Sequence, residues 1–344
     1  MSEKAITINH VKRKTKDKQD DTILFFAILF FFCLYFLRDI GGVSVSKYLF
    51  TLFCAVAFLL MSVENAFAFY ILTLPLTLPS NQIIAVYIII IVFKLLTSRK
   101  VNLDISNLAI VVIMIMIQIV DQALFGKSGF ASSAYLFVQI LMFLLVPLLW
   151  EALKFDSATV QRAMICFVIG FLIGSFVVLF NTAKEIGFNS LFLGGYRLSL
   201  DNLEQSTVNN GMVTVYNANH LASLASLSVA FVLVLLSLKR IHVSISLAII
   251  CYSVLICLMT LSRTGVVTLV FIASFFVIFW HAKKKAKNRK IAIVLFLGIC
   301  VFICFTMFPQ ILESVFSRFE VDDITNGRLS INSAYIEEWS KSIW

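Results

Sequence analysis

Residues 22–37 read TILFFAILFFFCLYFL, sixteen positions without a charge, and comparable apolar runs recur along the whole 344-residue chain. A run of this kind has no wet face. In lipid its backbone N–H and C=O groups must be satisfied within the segment itself, which leaves the α-helix as its structure. With 60% hydrophobic residues, 14% charged residues and a mean hydropathy of +0.96, the chain lies outside the composition of soluble domains. A hydrocarbon core takes about 20 residues per helix. Spans are therefore expected near 22–37, 47–62, 65–80, 82–98, 107–125, 132–150, 160–181, 217–238, 243–261, 264–280 and 291–308. The fold class that follows is all-α, a polytopic transmembrane helical bundle of about 11 spans. Segment 65–80 is short and contains Pro75 and Pro79, so it reads either as a span or as half of a broken helix.

The basic residues give the orientation. With the N-terminus cytoplasmic, the inner segments hold nineteen of the 28 Lys and Arg, including the tail 1–21 and the run HAKKKAKNRK at 281–290, as the positive-inside rule requires. The run at 281–290 reads as a topology anchor that meets anionic head groups, and no nucleic-acid partner is expected. The basic tail runs into the first span without a small-residue cleavage site, so no cleavable signal peptide is expected. The organisation expected is a cytoplasmic tail at 1–21, a membrane domain at 22–308 with an outer loop at 182–216, and an outer-face segment at 309–344.

Several function classes are disfavoured. All seven cysteines (Cys33, Cys54, Cys166, Cys251, Cys257, Cys300 and Cys304) fall within expected spans, where a thiol is a packing group. The four histidines show no ligand spacing, and there is no glycine-rich phosphate loop, so neither a metal nor a nucleotide cofactor is expected. Glu64, Lys94 and Asp121 sit near span ends rather than at a midplane, which weighs against ion-coupled transport.

The polar residues collect on the expected outer face. Arg263 interrupts LMTLSRTGVVTLVF (258–271) with almost no loop around it, Arg197 lies in the outer loop, and Arg328 follows TNG before an amphipathic stretch carrying Leu329, Ile336, Trp339 and Ile343. A cation at a helix N-terminus is disfavoured unless an anion shares the site, and arginine beside helix-terminal amides is suited to phosphate. The other reading makes each arginine an interfacial side chain paired with an acid or a lipid head group. In YNANH (216–220), Tyr216, Asn217 and Asn219 supply donors and acceptors for sugar hydroxyls, and His220 is a proton carrier near neutral pH. Asn217 reads equally as a helix cap and His220 as an ordinary interfacial residue. Asp121 reads as a counter-charge or as a general base.

YNANHLASL at 216–224, LMTLSRTG at 258–265 and TNGRLSINSAYIEEWSKSIW at 325–344 resemble, in order and separation, signatures of the bacterial O-antigen ligase and polymerase family, membrane glycosyltransferases of the Wzy and WaaL type. The resemblance covers roughly 160–344. It implies transfer of a glycan from undecaprenyl diphosphate to an acceptor sugar on the outer face of the bacterial cytoplasmic membrane, without metal or nucleotide. The implied product is a surface polysaccharide or O-antigen, with ligation to a lipid core as the alternative. It also implies catalytic roles for Arg263, Arg197 and Arg328; the residues themselves add His220 as a further catalytic candidate and Tyr216, Asn217, Asn219 and Ser262 as candidate substrate contacts. The implied partners are the lipid-linked oligosaccharide, the acceptor glycan, membrane lipids and a chain-length regulator.

This sequence departs from the family pattern in two places. Members continue past the GRxxxW-like region into a glycine turn, a histidine-bearing outer segment and a further span, whereas this sequence stops at Trp344. The aromatic after Arg328 also arrives only at Trp339. A C-terminally truncated chain is the expectation, with His220 or Asp121 standing in for the absent base as the other reading. A lipid-linked glycan flippase would also use arginines, but along a central cavity rather than at one rim. A non-catalytic scaffold for a polysaccharide complex is the third reading.

Overall fold

The apolar runs fold as helices wherever the structure, a computed structural model, describes them. It describes residues 2–76, 80–98, 155–187 and 218–279, together with positions 109, 113, 116, 189, 191 and 198. Among the described residues there are eight helices and no strand: α1 Ser2–Asp39, α2 Lys47–Leu60, α3 Val63–Thr73, α4 Ser80–Ser98, α5 Ser157–Ile186, α6 Ala218–Ser237, α7 Val243–Met259 and α8 Arg263–Phe279. Each meets one of eight expected runs; the runs at 107–125, 132–150 and 291–308 fall outside the described residues apart from positions 109, 113 and 116. Three stretches are long and apolar enough to cross a membrane, Gln19–Asp39, Ser157–Ile186 and Ala218–Ser237, and four shorter apolar helices accompany them.

Two boundaries differ from expectation. α1 begins at Ser2, so the basic tail and the first apolar run form one continuous helix, because nothing in KRKTKDKQDD breaks it. α3 ends at Thr73, with Leu74 still in right-handed helical geometry as its cap, and Pro75 has no backbone N–H with which to continue the helical ladder. Its 11 residues span about 16 Å at 1.5 Å per residue, about half of a hydrocarbon core.

Helix contacts divide the chain into two units, Met1–Val177 and Val178–Trp344. The first is held by aromatic edges. Phe31 meets Phe50 at 5.8 Å and Phe69 at 5.5 Å, Phe58 meets Tyr87 at 5.3 Å, and Tyr70 stacks on Tyr87 at 4.3 Å. Lipid is as apolar as a leucine side chain, so packing geometry rather than escape from water favours these contacts. Each edge-to-face pair contributes about 0.5–1.5 kcal/mol. Other large side chains, Phe25, Phe26, Leu52, Ile89 and Phe93 among them, are turned outward, a surface compatible with hydrocarbon and unsuited to water.

One end of this unit carries a polar clasp. Asp20 accepts the Ser62 backbone N–H at 2.8 Å and the Asn65 amide at 2.7 Å, placing a carboxylate at the start of α3, where the helix dipole favours it. Arg162 pairs with Asp21 at 2.9 Å and also donates to Asn65. Lys94 donates to the Phe58 and Met61 carbonyls at the end of α2, the terminus at which a cation is stabilising. Asp20, Ser62, Lys94 and Arg162 therefore share a level. At the far end of α1, Arg38 pairs with Asp39 at 2.7 Å and lies over the rings of Tyr35 and Phe50. Its guanidinium is enclosed by the protein.

α5 packs against α3 through glycines. A Cβ at Gly170 would collide with the Leu72 carbonyl oxygen, and one at Gly174 would lie 2.5 Å from that of Pro75. The G-x-x-x-G spacing brings backbones together where larger residues would hold them apart.

Candidate functional site

The second unit contains α6, α7 and α8, and its turn between α7 and α8 holds the interrupting arginine. Only Thr260, Leu261 and Ser262 separate Met259 from Arg263. Leu261 closes α7 in the left-handed region at φ 50°, a position where glycine is usual and a bulky side chain costs about 1–2 kcal/mol. Leu261 is buried, and the cost is offset by a dense set of hydrogen bonds. The Thr260 hydroxyl donates to the Cys257 carbonyl at 2.6 Å and accepts the Ser262 N–H at 3.3 Å. The Leu261 N–H donates to the Leu258 carbonyl at 2.9 Å.

Ser262 then opens α8. Its side-chain oxygen accepts the Gly265 N–H at 3.2 Å, and its carbonyl accepts the Val266 N–H at 3.1 Å. This is N-cap geometry. With 2% of its surface exposed, the hydroxyl needs an acceptor for its own proton, and it has one in Asn219 Oδ1 at 2.8 Å. Asn219 is the second residue of α6, so YNANH and LSRTG, read separately in the sequence, are joined by a direct hydrogen bond.

Below that bond the helices are in close contact. A Cβ at Gly265 would lie 2.6 Å from Ala222 Cβ and 2.8 Å from Cys257 Sγ, and the Ser226 hydroxyl, bonded to the Ala222 carbonyl at 2.8 Å, also reaches the Gly265 carbonyl at 3.5 Å. Small residues at 222, 226 and 265 let α6 and α8 cross at the level of the turn. A fourth segment meets the turn as well. Leu198 is fully buried, and its N–H donates to the Met259 carbonyl at 2.7 Å. Position 198 is thereby attached to the last turn of α7.

Of the expected site residues, Asn219 and Ser262 are in contact. Arg263 is the first residue of α8 and is half-buried; His220 is exposed on α6, one residue beyond Asn219. Arg197, Arg328, Tyr216, Asn217 and Asp121 lie outside the described residues. Among the described residues no three His, Cys, Asp or Glu side chains are placed to hold a metal ion.

Residues 247–344 match the family model described as O-antigen ligase. The matched segment is similar to O-antigen ligases over its whole stretch; it is all-helical where described and takes in α8, with Ser262, Arg263 and Gly265, as well as Arg328. It begins inside α7, so Arg197, Tyr216, Asn217, Asn219 and His220 lie outside the match, which is narrower than the stretch over which the sequence resembles the family. No curated protein and no solved structure matches the chain. The apolar helices are those of an integral membrane protein, and the matched segment supports an O-antigen ligase- or polymerase-type function.

Four residues of this arrangement are not singled out in the sequence. Leu198 and Leu261 carry no local signal, since a leucine in a membrane protein reads as lipid-facing or core. Gly265 and Ala222 do carry one, as small residues at a helix crossing, but it becomes legible only once α6 and α8 are known to be neighbours.

Proposed function

We propose that the protein transfers a glycan from undecaprenyl diphosphate to an acceptor sugar, as a surface-polysaccharide polymerase at the outer face of the bacterial cytoplasmic membrane. The supporting arrangement is about eleven spans with the N-terminus cytoplasmic, which puts the α7–α8 turn outside. An acceptor hydroxyl oxygen attacks the anomeric carbon of the donor sugar. The bond from that carbon to the diphosphate oxygen breaks, and its electron pair leaves on the diphosphate. Arg263 meets the charge that develops there, with Arg197 and Arg328 as further guanidinium donors. His220 accepts the hydroxyl proton. Tyr216 and Asn217 contact sugar hydroxyls, and Asn219 and Ser262 stand beside them. Electrostatic stabilisation comes from guanidinium groups, so the reaction as proposed calls for no metal or nucleotide. Membrane lipids and a chain-length regulator are its further partners.

The observation that carries this reading is the turn itself. A permanently charged side chain opens an apolar helix after a three-residue turn secured by hydrogen bonds from α6, from Leu198 and from within the turn. A preorganised cation of this kind suits a charge that appears during reaction.

A second reading, ligation of the finished glycan to a lipid core, is favoured by the description of the matching family. Replacing the native gene with Arg263→Lys tests both. The planar fork is lost while the charge is kept, and transfer should fall by about a hundredfold with normal protein levels in the membrane. Under the polymerase reading the surface glycan collapses to single repeats. Under the ligase reading long glycan persists on the lipid carrier and disappears from the core. A wild-type product ladder would refute the role of Arg263 in either.

A further inference from the structure

The hydrogen bonds at the α7–α8 turn assign Asn219 a task other than sugar contact. The Ser262 oxygen is occupied by the Gly265 N–H at 3.2 Å. Its proton points to Asn219 Oδ1 at 2.8 Å, so the Asn219 carbonyl is committed to protein and the orientation of its amide is set by that commitment. Ser262 is 2% exposed; an unanswered hydroxyl there would lose a buried hydrogen bond. Ser262 is also covalently next to Arg263, and its backbone is fixed on the other side by the left-handed Leu261 and the Thr260 hydroxyl. Each route by which Asn219 acts on its surroundings through this bond leads to the first turn of α8.

We infer that Asn219 is a positioning residue for Arg263, acting through the Ser262 hydroxyl to fix the start of α8 against α6, rather than a direct contact to the donor sugar. The inference rests on Arg263 meeting the diphosphate. It deepens that reading by giving the YNANH motif a mechanical role: α6 holds the direction in which the guanidinium leaves the turn. Small residues at Ala222 and Gly265 keep the helices close enough for the bond to form.

The test is a double-mutant cycle on the full chain in nanodiscs, read as affinity for undecaprenyl diphosphate without a sugar, beside the thermal unfolding midpoint. The variants are Asn219→Ala, Ser262→Gly and the pair together. Glycine is tolerated at a helix cap and removes the hydroxyl, so a folded protein is retained, and Ser262→Thr restores the hydroxyl. If Asn219 acts through Ser262, each single variant weakens binding by about tenfold and the pair weakens it by no more than either alone. Ser262→Thr should bind nearly as wild type. Effects that multiply to about a hundredfold in the pair would mean that Asn219 touches ligand directly, and would overturn the inference. So would an unfolding midpoint that falls while affinity stays unchanged. Arg263→Ala, run alongside, separates the two levels: unchanged binding there defeats the diphosphate reading itself, whereas weakened binding with multiplying effects at 219 and 262 defeats only the positioning role.

Discussion

Replacing Gly265 with alanine should uncouple catalysis from stability. The new methyl would lie 2.6 Å from Ala222 Cβ, while ordinary contact begins at 3.4 Å, so α6 and α8 must separate by about 0.8 Å or tilt equivalently. Cys257 Sγ, 2.8 Å away on a second side, blocks relief in that direction. Overpacking of this kind destabilises by about 1–3 kcal/mol, and alanine returns about 1 kcal/mol of helix propensity, leaving a net loss of about 0–2 kcal/mol. Gly265 lies two residues from Arg263, so most of the displacement reaches the guanidinium. A misplacement near 1 Å reduces a reaction that depends on alignment by about a hundredfold. The assay is the length distribution and rate of appearance of surface glycan in a strain carrying the single substitution, with thermal unfolding of the purified protein beside it. A nearly unchanged unfolding midpoint with glycan synthesis reduced about a hundredfold is the expected pair. Wild-type synthesis would refute the argument that the α6–α8 crossing sets the position of Arg263.

Gly170→Ala should act in the opposite sense, because its methyl meets the Leu72 backbone rather than movable side chains; a loss of about 1–3 kcal/mol should appear as a lower unfolding midpoint, and an unchanged midpoint would remove the α3–α5 contact from the account. Asp156 caps α5 by accepting the Thr159 N–H at 2.8 Å. The Thr159 hydroxyl and amide, helped by the Arg162 charge, hold its carboxyl below the ordinary value of 3.8. Its contribution to stability is therefore fully present above pH 3.8 and is lost as pH falls below that value through the lowered folded-state value. The difference in unfolding midpoint between wild type and Asp156→Ala should be constant at pH 5–7 and shrink below pH 4; a gap that widens on acidification would contradict the cap.

The helices were legible because lipid imposes a one-dimensional rule: a segment either satisfies its own backbone or does not cross. The runs at 47–62, 82–98, 217–238 and 264–280 accordingly appear as helices with ends shifted by a few residues. α3 was legible only to its proline, which explains both the short helix and the two readings of segment 65–80. The reach of α1 into the basic tail was not legible, since charge sets where a helix leaves the membrane and not where it stops. At the site, Ser262 and Asn219 could each be picked out for polarity in an apolar setting. Their bond could not, because 43 residues and two helices separate them. Leu261 was hidden more deeply. A left-handed residue normally announces itself as glycine, and here the surrounding hydrogen bonds hold a leucine in its place. The Arg162–Asp21 pair, 141 residues apart, was hidden because the sequence assigns both residues to an inner surface without pairing them.

The glycine pair at 170 and 174 bears on how copies of this protein meet. In an isolated membrane helix that spacing is the signature of self-association. Here the chain fills its own groove with the end of α3 and the Pro75 turn, so the interface is already spent within one molecule. A homo-oligomer must be assembled through some other surface, and cross-links placed along the 170–174 ridge of α5 should report the monomer's own packing at any protein concentration.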